Sequence, residues 1–300
     1  DASGSYVLTV TDSKAPVWST APQDAVFECD GAGNTDKVEG WLAEFGGGVA
    51  RDSCDGAVTI SSDFEAEAAS LTALCGSTGS VTVTFTATDV CGNTADASAE
   101  IKLVDTTAPS FSGVPEDVTV ECNEVPSAPE RLPAADVCDP APSVSLTPAR
   151  AAGRCANAYT ITNVWRAVDA CGNEGNATQV VTVQDSKGPR LADLATDRRL
   201  ECNASTATEI EAIVGSHAGA LAEDECSGEV SWSSDFEAVK AGLTGGCGAT
   251  GAATVTFTVT DVCGNPTTTA AKITVEDTQP PALENVPANV EVECDAVPPA

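Results

Sequence analysis

One segment occurs three times along the chain: Val81–Pro109, Tyr159–Pro189 and Ala253–Pro281, each with an Asp-x-Cys-Gly-Asn turn near its middle. In the last copy Val255, Phe257 and Val259 alternate with Thr254, Thr256, Thr258 and Thr260. That period of two predicts a strand with one buried and one wet face. Asp261-Val262-Cys263-Gly264-Asn265 then reverses the chain, with glycine supplying a positive φ and the Asp and Asn side chains bonding to local backbone. The returning strand places Ile273 and Val275 inward and stops at an Asp-x-x-x-Pro linker. A lone hairpin is unstable in water, so each copy belongs to a larger module.

The cysteines keep the same beat. They fall as Cys29, Cys54, Cys75, Cys91; then Cys122, Cys138, Cys155, Cys171; then Cys202, Cys226, Cys247, Cys263; Cys294 opens a fourth set. In every set 16 residues separate the third from the fourth, 14 separate the fourth from the linker aspartate (Asp105, Asp185, Asp277), and 17 separate that aspartate from the next first cysteine. Length varies only between the first and third cysteines, with intervals of 25 and 21, then 16 and 17, then 24 and 21 residues.

The variation alternates. Repeats one and three carry apolar residues at helical spacing after the first cysteine: Val38, Trp41, Leu42, Phe45 and Ile210, Ile213, Val214, His217. They also share Ser-Ser-Asp-Phe-Glu-Ala at 61–66 and 233–238. Repeat two has Val125-Pro126-Ser127-Ala128-Pro129 there, which is not helical. The segment Glu293–Pro298 resembles Glu121–Pro126, and Asp12–Pro16 resembles Asp185–Pro189. The order is therefore B-A-B-A-B: 1–15 the last strand of a preceding B-type module, 16–106 A, 107–186 B, 187–278 A, and 279–300 the first strand of a following B-type module. The sequence is expected to be an excerpt of a longer array whose true unit is two modules, 173 residues from Cys29 to Cys202 and 172 from Cys122 to Cys294.

A net charge of −31, from 45 acids against 14 bases, repels phosphate backbones and anionic membrane surfaces, so neither nucleic acid nor membrane is an expected partner. Thirteen cysteines at regular spacing with one histidine predict disulfides and an extracellular or cell-surface location rather than zinc or redox chemistry. The sequence shows no signal peptide or transmembrane run. It shows no nucleophile–base pair, phosphate loop or histidine cluster either, and an enzyme is not expected.

The pattern Val-Pro-x-x-Val-x-Val-Glu-Cys, Asp-x-Cys, (Trp/Phe)-x-Ala-x-Asp-x-Cys-Gly-Asn, Val-x-Asp-x-x-x-Pro resembles the hyalin-repeat (HYR-like) immunoglobulin-type modules of long extracellular adhesive proteins. Its four-cysteine set is closer to the Cys-rich repeats of giant bacterial and algal surface proteins. The resemblance spans the chain and implies an all-β fold: tandem immunoglobulin-like β-sandwich modules in an extended array, with a short helical insert in modules one and three. In such a sandwich the first strand lies near and parallel to the last, which is antiparallel to the strand before it. The first and third cysteines are then expected to pair, as Cys29–Cys75, Cys122–Cys155 and Cys202–Cys247. The second and fourth pair at the other pole, as Cys54–Cys91, Cys138–Cys171 and Cys226–Cys263, with the partner of Cys294 beyond the sequence.

An aspartate lies two residues before both cysteines of that second pole: Asp52 and Asp89, Asp136 and Asp169, Asp224 and Asp261. The linker aspartates Asp12, Asp105 and Asp185 enter at the same pole. Three carboxylates, with Asn93, Asn173 or Asn265 nearby, are hard oxygen ligands suited to Ca2+ at a module junction. The competing reading has each aspartate capping its own turn. Trp165 is expected in the core, and His217 in a core-facing or helix-end role rather than a catalytic one. Asn163, at the inward position of Val83 and Val255, is a departure without a sequence explanation. Asn176 and Asn203 begin N-glycosylation sequons. The expected function is that of a structural extracellular protein forming a disulfide-stabilised rod or filament through self-association or neighbouring modules. The alternative is an adhesin stalk or binding module that recognises glycan or another cell surface.

Overall fold

A computed structural model describes residues 4–54, 56–226, 228–244, 249–284 and 291. The chain divides into two compact units, Asp1–Val120 with Val125–Ala151 and Thr160–Thr182, and Glu121–Glu124 with Ala152–Tyr159 and Val183–Ala300. Among the described residues no helix is long and apolar enough to cross a membrane.

The first strands are β1 (Val17–Thr20), β2 (Ala25–Glu28), β3 (Val49–Arg51), β4 (Thr59–Ser62), β5 (Gly79–Thr88) and β6 (Thr94–Val104). They form a four-stranded sheet in the order β2-β6-β5-β4 and a two-stranded sheet β1-β3. As the immunoglobulin-like reading requires, the first strand of the larger sheet is parallel to the last, with Ala25 opposite Ile101, and β5 is antiparallel to β6. The period of two shows in the burial: Val81, Val83, Phe85 and Ala87 point inward, and Ile101 and Leu103 face them from β6.

Helix α1 (Thr35–Ala43) covers this core with Val38, while Trp41 and Phe45 pack on Phe85 at ring distances of 5.4 and 6.4 Å. The helix stops before Phe45, short of the expected spacing. Phe45 takes a φ of 51° and Gly46 one of 62°, and a Cβ on Gly46 would lie 3.0 Å from the Trp41 ring. This left-handed turn folds Phe45 back onto the core. The Ser-Ser-Asp-Phe-Glu-Ala motif ends β4: Asp63 accepts the Thr84 N–H at 2.8 Å and α2 (Phe64–Glu67) begins.

The middle strands are β7 (Ser110–Phe111), β8 (Val118–Glu121), β9 (Ala134–Ala135), β10 (Ser143–Ala152), β11 (Tyr159–Val168) and β12 (Glu174–Gln184). Their sheets run β10-β11-β12-β8 and β7-β9, and the proline-rich stretch is not helical. Trp165 is fully buried and donates its indole N–H to Pro129 O at 3.0 Å. Asn163 is now explained. Its amide donates to Gln179 Oε1 at 3.1 Å, and Gln179 Nε2 donates to Glu116 O, so both buried polar side chains find partners. The pair replaces the apolar Val83–Ala99 and Val255–Ala271 cross-strand pairs of the sister repeats.

The last strands repeat the first set: β13 (Arg190–Asp193), β14 (Arg198–Glu201), β15 (Leu221–Glu223), β16 (Val230–Ser234), β17 (Gly251–Asp261) and β18 (Pro266–Glu276), with α3 (Thr206–Gly215) and α4 (Phe236–Val239). The sheets run β14-β18-β17-β16 and β13-β15, and β14 is parallel to β18. His217, at the Phe45 position with φ 54°, stacks on Trp232 at 4.4 Å and meets Phe257 edge-on. Burial lowers its pKa, favouring the neutral ring.

Residues 4–15, expected to belong to the last strand of a preceding module, form no strand, and Leu8 and Val10 there are 81% and 86% exposed. Most of the strand expected within 279–300, and Cys294 with it, lies outside the described residues.

Candidate functional site

The disulfides run between repeats. In the first unit Cys29 bonds to Cys138 and Cys75 to Cys171, with Cα separations of 6.1 and 5.1 Å. In the second unit Cys122 bonds to Cys226 and Cys155 to Cys263, at 5.6 and 5.1 Å. One rule covers all four: the first and third cysteines of a repeat take the second and fourth of the next. The expected pairings Cys29–Cys75, Cys122–Cys155, Cys138–Cys171 and Cys226–Cys263 are corrected accordingly. Cys54 and Cys91, expected to pair, are exposed thiols. The Cys202–Cys247 pairing falls partly outside the described residues.

The reason is geometric. Strand direction does bring the first and third cysteines to one pole, since Cys29 Sγ lies 3.4 Å from Gly76 O. That pole faces the opposite pole of the following repeat, so four cysteines meet and bond across the joint instead of along it. Gly76 makes the approach possible. It has φ 56°, and a Cβ there would stand 3.0 Å from Asp105 Oδ2 and 3.3 Å from Cys171 Sγ.

The aspartates separate into two roles. Asp89, Asp169 and Asp261 do not join a ligand set. In each, Oδ1 accepts two N–H groups of its own turn and Oδ2 accepts the amide of Asn93, Asn173 or Asn265, at 2.7–2.9 Å. The same asparagine amides donate to the carbonyls of Asp12, Asp105 and Asp185, at 3.5, 3.0 and 3.0 Å, and so hold the linker against the turn. The asparagine bond holds the Asp89 carboxyl below its usual range. At Asp169 and Asp261 burial is the largest single influence and pushes upward, but the turn and asparagine bonds together outweigh it.

The linker and loop aspartates do converge. Asp12 with Asp52, Asp105 with Asp136, and Asp185 with Asp224 each bring carboxylate oxygens within 4.8 Å of one another and of the second-position cysteine sulfur. Asp52, Asp136 and Asp224 use Oδ1 to accept the N–H of that cysteine, at 2.8–2.9 Å. Oδ2 of Asp52, Asp105 and Asp136 and Oδ1 of Asp185 are buried without a hydrogen-bond partner. Burial first, and neighbouring acids after it, raise the pKa of Asp105 and of Asp185, against the opposing hydrogen bonds from Thr107 and Asn157. Such paired, uncommitted oxygens are able to hold a metal ion. The sulfur beside them in the two complete joints is in a disulfide and is no ligand. An open cleft of about 170 Å³, lined by Asp185, Asp224, Glu121, Glu225, Lys187 and Arg190, leaves room for water beside the Asp185–Asp224 pair.

Sequence reasoning missed the glutamate before each first cysteine. Glu28 accepts the Thr106 N–H at 2.7 Å and the hydroxyls of Thr106 and Thr107; Glu121 accepts Ser186, and Glu201 accepts Thr278, in the same way. These bonds lower all three carboxyl pKa values. The signal was present: Glu-Cys recurs, always with Thr or Ser directly after the linker aspartate. Of the two sequon asparagines, Asn176 is exposed on β12, and Asn203, also exposed, accepts the N–H and hydroxyl of Ser205.

No family model matches the chain, and no curated protein matches it. Among solved structures it is similar to cadherin ectodomains. Domains 1–3 of mouse clustered protocadherin PcdhgC3 are 15% identical, with 67% of this chain and 77% of that one covered and a TM-score of 0.26. Domains 1–4 of Drosophila N-cadherin are 10% identical, with 88% and 76% covered and a TM-score of 0.27. Domains 1–3 of protocadherin gamma C5 are 11% identical, with 77% and 84% covered and a TM-score of 0.28. Scores this low identify no relative.

Proposed function

We propose that the chain is a structural repeat protein of an extracellular surface, an array of β modules whose successive joints are each closed by two disulfides and a clamped linker. The observation that carries this reading is the crossed pairing in both complete joints. A binding or catalytic domain needs disulfides only to stabilise itself; bonds that leave each repeat for the next serve continuity along the array. Four such bonds also need an oxidising compartment.

Each joint further holds Ca2+ between its linker and loop aspartates. The buried, unpartnered oxygens support this, because a charged oxygen without hydrogen bonds is costly unless a cation or proton meets it. The protein supplies few ligands, so water completes the coordination and affinity is modest. The identical Asn and Glu clamps at successive joints fix the linker whether or not an ion is present, and the array is a stiff rod or filament.

Disulfide mapping of the oxidatively refolded chain tests the central claim. Peptides joining Cys29 to Cys138 and Cys155 to Cys263 are expected; peptides joining Cys29 to Cys75 and Cys138 to Cys171 overturn it. Thermal unfolding in Ca2+ and in EGTA tests the ion: an unchanged midpoint removes Ca2+ from the reading and leaves the disulfide joint standing.

A further inference from the structure

Cys54 and Cys91 are the one second- and fourth-position pair left unbonded among the described residues. Their counterparts Cys138 and Cys171, and Cys226 and Cys263, are joined to the first and third cysteines of the repeat before. Yet the rest of a joint is already assembled around Cys54 and Cys91. Asp12 lies against Asp52 and Cys54, Asn93 donates to Asp12 O, and Asp52 Oδ2 is buried and unpartnered.

A second observation comes from the segment leading into that joint. Counting back from the linker aspartate, Leu8 and Val10 match Val181 and Val183 of β12, which are each 1% exposed. They equally match Ile273 and Val275 of β18, at 0% and 3%. Leu8 and Val10 are 81% and 86% exposed. A last strand carries these residues only to bury them against a sheet, and a lone strand cannot. The linker Asp12-Ser13-Lys14-Ala15-Pro16 is of the kind that follows the B-type repeat, Asp185-Ser186-Lys187-Gly188-Pro189.

We propose that Cys54 and Cys91 are the receiving half of a further joint, and that their partners are the first- and third-position cysteines of a B-type repeat whose last strand is residues 4–11. This inference rests on the crossed-pairing reading above. Each bond forms by thiol–disulfide exchange with a small-molecule disulfide such as oxidised glutathione. Two protein thiols lose two protons and two electrons to become one S–S bond, and the glutathione disulfide is reduced to two glutathione thiols. The geometry to be reproduced is that of Cys122–Cys226 and Cys155–Cys263.

The experiment places a copy of residues 107–173 directly before residue 1 of the full chain, so that residues 1–11 complete it in the register of 174–184. Cys138 and Cys171 of the added copy are changed to serine. After refolding in glutathione buffer, digestion is expected to give peptides joining the added Cys122 to Cys54 and the added Cys155 to Cys91. Iodoacetamide labelling of Cys54 and Cys91, expected in the chain alone, should disappear. A Cys54–Cys91 peptide, or a bond between the two added cysteines, overturns the proposal. Loss of Cys29–Cys138 from the same digest instead overturns the pairing rule itself, so the two failures are distinguishable. If the added copy does not fold, the unextended chain decides: both thiols must label after oxidation, and a Cys54–Cys91 bond overturns the proposal.

Discussion

Removing the outer disulfide of the first joint, as Cys29→Ala with Cys138→Ala, probes what crossing contributes. With Cys75–Cys171 intact, the bond closes a ring made of the 46 residues from Cys29 to Cys75 and the 33 from Cys138 to Cys171, about 79 in all. Chain-entropy closure of a ring that size is worth about 4.5 kcal/mol at 25 °C. For a two-module unit this lowers the unfolding midpoint by on the order of 10 °C. Replacing both cysteines keeps a lone thiol from reshuffling. Scanning calorimetry of the variant and parent chains, each with its remaining bonds mapped, measures the shift. The crossed ring also ties the two repeats together, so the first and second repeats should unfold as one transition in the parent and separate in the variant. A midpoint within 2 °C of the parent, with cooperativity unchanged, refutes the reasoning.

Three other outcomes follow from the same geometry. Asp105→Asn with Asp185→Asn should raise the midpoint at pH 7 in EGTA and abolish the Ca2+ response of the two complete joints. In the ion-free chain these raised pKa values make stability fall as pH rises from the unfolded to the folded value; a lower midpoint in EGTA refutes this. The lowered pKa values of Glu28, Glu121 and Glu201 act in the opposite sense, their contribution being present above the unfolded pKa and lost as pH falls through the folded one, so Glu28→Gln should flatten the acid limb of a stability–pH curve. Gln179→Ala alone should cost about 1–3 kcal/mol in urea titration by stranding the Asn163 amide, whereas Asn163→Val with Gln179→Ala, the pair used by the sister repeats, should recover most of it; equal losses in both refute the pairing.

Much of the fold was legible because period and turn chemistry are local. Val255, Phe257 and Val259 alternate with threonine, and the hairpin forms where that alternation puts it. The parallel first and last strands followed from the immunoglobulin-like reading, and so did the pole shared by Cys29 and Gly76. What the spacing could not reveal is which way a cysteine at a pole faces: identical intervals serve a bond within a repeat and a bond to the next. The aspartates failed for a related reason. Asp89 and Asp136 look alike in sequence, but a following Gly-Asn gives Asp89 three donors inside its own turn, while Asp136 keeps one oxygen uncommitted. The end of α1 was missed because Phe45 turns back through a left-handed backbone that helical spacing cannot anticipate.

The unvarying interval of 16 residues between third and fourth cysteines takes on a mechanical meaning once the bonds cross. A covalent route runs from Cys91 back to Cys75, over to Cys171, back to Cys155, over to Cys263, and so along the array, using only β5, β11 and β17 and their ends. Pulled taut, each step reaches about 55 Å, whereas the 93 and 80 residues between successive first cysteines would reach about 300 Å if free. Even with every sheet stripped, such a thread is therefore held to about 55 Å per repeat, because each repeat is spanned by a tether one strand long. In the proposed rod or filament, extension beyond that length then requires a reductant as well as force.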